Sequence, residues 1–107
     1  MTNVRANLPK SVIVGGQRIR LDVSTSLEDW GQYNHDTKAI TISHRALEKD
    51  STLRTTLRHE LMHAALSISG VSYCTGFQEE AVVRCMEEVF FPSWEKLHTK
   101  LTNTKKP

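Results

Sequence analysis

The chain has 107 residues, of which 38% are hydrophobic and 24% charged, and a formal net charge of +2. That length fits one small domain with a modest core and excludes disorder throughout. The charge is too near balance to indicate nucleic acid, and no apolar run is long enough to span a membrane.

Residues 1–10 read as an irregular lead-in, broken by Asn7 and Pro9. Ser11 to Val14 is a short β-prone run, and Gly15-Gly16 is a turn signal. Arg18 to Val23 alternates, with Ile19, Leu21 and Val23 on one face and Arg18, Arg20 and Asp22 on the other, the pattern of a half-buried strand. Trp30 to Asn34 is a further candidate strand, followed by the polar turn His35-Asp36-Thr37-Lys38. Ala39 to Ser43 alternates again, with Ile40 and Ile42 facing together. Short connections between these runs predict a meander of three or four strands, mostly antiparallel.

The period then changes. Asp50-Ser51 offers an N-cap, Leu53, Leu57, Leu61, Ala64 and Ile68 recur at helical spacing, and Gly70 is a stop, so a helix is expected from about Ser51 to Ser69. A loop containing Gly76 follows. A second helix is expected from Glu79 to about Phe91, where Pro92 interrupts it, and a third from Trp94 to Leu101. The expected fold class is α+β, with a single domain over residues 11–101 and a polar tail over 102–107. Cys74 and Cys85 lack the spacing of a zinc knuckle or redox pair and read as reduced thiols. With no secretory signal at the N-terminus, the expected location is cytoplasmic.

His59-Glu60-Leu61-Met62-His63 carries the chemistry. Histidines four apart on a helix lie one turn apart on one side, so both imidazoles reach one ion, and the intervening glutamate reaches a metal-bound water. Thr52, Thr56, His59 and His63 share an azimuth separate from the leucine row. Zinc suits two neutral imidazoles, and a catalytic zinc takes a third protein ligand and keeps one position open. Glu79-Glu80 opens the next helix. Winding that helix at about 100° per residue places Glu79 with Val82, Val83, Met86, Val89 and Phe90, and Glu80 with Arg84 and Glu87. Glu79 is the chosen third ligand and Glu80 the alternative. His35 and His44 read as surface residues, and Tyr33 is an outside candidate to assist at the centre. His98 and Tyr73 are further candidates to assist at the centre.

Ile40-Thr41-Ile42, Leu53 to Ala64 and Glu79 to Val83 together resemble small zincin-like metallopeptidases of phages and prophages, distantly similar to the ImmA/IrrE-like group. The resemblance covers roughly residues 30–92. It implies a small sheet packed on the H-E-x-x-H helix and a second metal-bearing helix, one zinc held by His59, His63 and a glutamate, and Glu60 as general base. It also implies the cytoplasm of a host cell. The sequence departs from that group at Met62, where a glycine is usual in or beside the motif, and after Glu80-Ala81, where Val82 replaces Asn or Asp. The Glu-Ala pair alone favours Glu80 as ligand.

The expected function is zinc-dependent hydrolysis of a protein or peptide through a zinc-activated water, with Glu60 as base. An extended substrate is expected along an edge strand near Ala39 to Ser43. The alternative is a non-catalytic zinc-stabilised module for phage assembly or host interaction.

Overall fold

The structure is a computed structural model that describes residues 8–73 and 78–103, with the backbone alone for Tyr73, Thr102 and Asn103. Most of the N-terminal lead-in, Cys74, Gly76 and the last four residues of the tail lie outside the described residues. The chain is α+β and divides into two compact units, Met1–Phe77 and Gln78–Pro107.

The first unit holds a four-stranded sheet, with β1 at Ser11–Val14, β2 at Gln17–Ser24, β3 at Gly31–Asn34 and β4 at Ala39–Ser43. Gly15 and Gly16 join β1 to β2 with φ of 55° and 81°, backbone that side chains resist and glycine adopts freely. The strand order is β1-β2-β4-β3. This corrects the expected meander. β1–β2 and β3–β4 pair antiparallel, but β4 inserts between β2 and β3 and runs parallel to β2, Leu21 beside Ile40 and Val23 beside Ile42. The segment from Ser24 to Ala39 is long enough for the crossover that a parallel pair requires, and β3 forms within it.

β4 is therefore interior, paired on both sides, and Ala39, Ile40, Ile42 and Ser43 are all buried. The edge strand beside it is β3. One face of the sheet presents Val12, Ile19, Leu21, Tyr33, Ile40 and Ile42 to the core, which Ala46, Leu53, Leu57 and Ile68 complete. Ala46 belongs to the 3₁₀ turn His44–Glu48, and the other three to α1, Asp50–Ile68. The opposite face carries polar pairs beside the exposed Ile13: Arg20 pairs with Asp22 at 2.9 Å, and Arg18 donates to Ser11 Oγ.

α1 begins one residue earlier than expected. Lys49 is its N-cap with extended backbone and no side-chain cap bond, while Asp50 occupies the first turn, where a carboxylate suits the helix dipole. Gly70, at φ 87°, follows the C-cap Ser69. A single 3₁₀ turn, Val71–Tyr73, closes the described part of this unit.

The second unit is helical: α2 at Glu79–Cys85, a π turn at Met86–Phe90 and α3 at Phe91–Asn103. Pro92 does not end the helix as expected. It lies at the start of α3, directly after the π turn, a local widening at which a residue without an N–H is accommodated in a continuous helix. The π turn just before it widens the ladder, with Phe91 N–H donating to Met86 O, and Ser93 Oγ donates to Val89 O at 2.8 Å. Cys85 is an exposed free thiol. Among the described residues no helix is long and apolar enough to cross a membrane.

Candidate metal centre

The azimuth of each α1 residue follows from about 100° per residue. Taking Leu53 as zero, Glu60 falls at about −20°, Ala64 at about +20°, Leu57 at about +40°, Thr56 at about −60° and Ile68 at about +60°. These are the buried and core-packed positions. Leu61 has drifted to about +80° and is 36% exposed, so the expected leucine row is interrupted there. His63 at about −80° and His59 at about −120° lie just past the opposite rim, half-buried.

One helical turn then does the rest. His59 Nε2 and His63 Nε2 are 3.3 Å apart, with ring centroids at 4.9 Å and planes inclined by 58°. Two nitrogens bound to one tetrahedral zinc at about 2.0–2.1 Å are separated by about 3.3–3.4 Å, the edge of that tetrahedron. The two imidazoles thus present the same nitrogen at a spacing that suits one zinc ion and, in its absence, a direct Nε2–Nε2 hydrogen bond.

Glu60 occupies the middle of the sheet-facing arc and is 8% exposed. What makes room for it is Gly31 on β3. A Cβ built there would stand 2.8 Å from Thr56 Cγ2, 3.2 Å from Glu60 Cγ and 3.3 Å from Ile42 Cδ1. Helix and strand approach more closely than a side chain at position 31 permits, and the Glu60 stem lies in that contact. Sequence reasoning missed Gly31, although an isolated glycine in a strand is a sign of close backbone approach.

The other candidates lie on several elements. Glu79 and Glu80 form the first turn of α2, Glu79 half-buried and Glu80 exposed. Tyr33, half-buried on β3, has its hydroxyl 2.8 Å from His35 Nδ1. His44 is exposed on its 3₁₀ turn. His98 is exposed on α3, its ring 5.6 Å from that of Trp94. The Tyr73 side chain lies outside the described residues.

Sequence reasoning also missed the anchoring of Trp30. Arg45 Nε donates to Ser43 Oγ at 3.0 Å, its Nη2 donates to the Glu28 carbonyl at 2.6 Å, and its guanidinium lies 5.0 Å from the Trp30 ring centroid. Comparison with protein-family models, with curated proteins and with solved structures finds no match to this chain.

Proposed function

We propose that the chain is a zinc-dependent peptidase, with one zinc held by His59, His63 and a glutamate from the first turn of α2, Glu79 or Glu80. The observation that carries this reading is the 3.3 Å separation of the two Nε2 atoms. Glu60 supports an active site over a structural one. Packing alone would fill its position in the sheet-facing arc with an aliphatic residue, since a buried carboxylate costs desolvation. A structural zinc site gains nothing from a base beside it.

Zinc, when bound, supplies Lewis-acid chemistry, polarising the scissile carbonyl and making water more acidic. Glu60 takes the proton of the attacking water and returns it to the leaving amine. Its stem packs beside Gly31 of β3, which limits the freedom of the side chain. The sheet laid on the H-E-x-x-H helix, in the manner of a minimal zincin, belongs to this proposal. An extended peptide substrate adds to the sheet at β3. The earlier expectation of β4 fails because β4 is hydrogen-bonded on both sides.

Glu60→Gln tests the reading. The variant is expected to keep its zinc and to lose at least about 100-fold in cleavage of an unfolded protein substrate. Cleavage at the wild-type rate would remove Glu60 from the mechanism.

A further inference from the structure

A cleft of about 370 Å³ lies between Trp30 and the N-terminal turns of α1, lined by Trp30, Ser51, Thr52, Thr55 and Thr56. We infer that it is a subsite for one bulky apolar side chain of the substrate peptide; this rests on the peptidase reading for its substrate, but not on the metal.

Three observations lead there. The lining is an indole with threonine methyls and hydroxyls and contains no charged side chain. A charged residue entering it would lose hydration, whereas an apolar one gains contact with the ring. Second, Trp30 is 51% exposed and yet held in place. Arg45 stacks on it, and Arg45 is itself tied to Ser43 Oγ and the Glu28 carbonyl. An indole fixed before binding has little freedom left to lose when a ligand covers it.

Third, the cleft is in line with the chemistry. Trp30 immediately precedes β3, and Thr56 both lines the cleft and touches the position of Gly31. Along α1, Thr56 and Thr52 lie about 4.5 and 10.5 Å before His59, at 1.5 Å per residue. An extended peptide advances about 3.3 Å per residue, so the residue seated in the cleft is about one to three removed from the scissile bond.

The test is selection of peptides from a randomised library on full-length Glu60→Gln protein loaded with zinc, which does not consume its ligand. Aromatic or large aliphatic residues are expected at one fixed position, about tenfold over charged ones, equivalent to about 1.4 kcal/mol. Trp30→Ala should flatten that preference. Thr55→Arg, at an exposed helical position, should flatten it too, by placing a cation in the cleft without touching the core. Circular dichroism establishes that each variant is folded. A preference for charged residues, a profile unchanged in folded Thr55→Arg, or retention of no peptide would overturn the inference. Zinc content of the same samples judges the metal reading separately. Protein that holds zinc but selects no apolar residue sinks the subsite alone, and protein that selects it without zinc sinks the metal site alone.

Discussion

Glu60 on α1 and Gly31 on β3 are in mutual contact, so close that a Cβ at position 31 would meet Glu60 Cγ at 3.2 Å. Thr56 Cγ2 would be closer still, at 2.8 Å. Gly31→Ala is therefore expected to cost about 1–3 kcal/mol through overpacking and to displace the Glu60 carboxylate, lowering any hydrolytic rate. Gln32→Ala, at the exposed neighbouring position, is the control and should be near neutral. Urea unfolding of the two variants checks this, and equal stabilities would place the contact elsewhere.

The azimuths along α1 make a second prediction. Leu53 is fully buried and Leu61 is 36% exposed, although both belong to the same i, i+4 series. Leu53→Ala should cost about 2–5 kcal/mol. Leu61→Ala should cost under about 1 kcal/mol, because little apolar area is returned to water. Similar losses in both, measured by denaturant midpoint, would mean that α1 is rotated about its axis.

These residues also mark how far the sequence was legible. The four strands and α1 follow from alternation and from helical spacing, and the β1–β2 hairpin follows from Gly15-Gly16. The neighbours of β4 do not. Alternation tells which face of Ile40 and Ile42 is buried, but it is silent on which strand lies beside them, and a parallel pairing leaves no turn signal between its partners. The leucine series misled because each i+4 step gains about 40° over a full turn, enough by Leu61 to leave the core. Of the candidate site, His59 and His63 were readable from spacing alone, whereas Gly31 and Trp30 meet α1 only through the tertiary fold.

Arg45 should hold the chain between β2 and β3 in place. Its bonds to Ser43 Oγ and the Glu28 carbonyl and its stacking on Trp30 are together expected to be worth about 1 kcal/mol at this exposed site. Arg45→Ala should lose that stability and speed amide exchange over residues 25–30. Arg45→Lys should rescue little, since a point charge lacks the planar fork that bonds and stacks at once. Full rescue by lysine would show that charge alone matters there.

The proposed zinc site takes its third ligand from one of two adjacent carboxylates. Glu79→Gln and Glu80→Gln are expected to differ, one lowering zinc affinity by about 100-fold or more and the other leaving it nearly intact, as loss of a ligand must exceed loss of an outer-shell partner. Titration of each variant against a zinc-buffering chelator checks this. Equal, small effects would exclude both from the metal.

The central claim is that His59 and His63 hold one metal ion. Native mass spectrometry of the purified full-length chain tests it most directly, on wild type and on the double variant His59→Ala/His63→Ala. The account predicts one zinc per wild-type chain and none on the double variant. A wild-type chain that takes up no zinc, or a double variant that keeps it, would contradict the account.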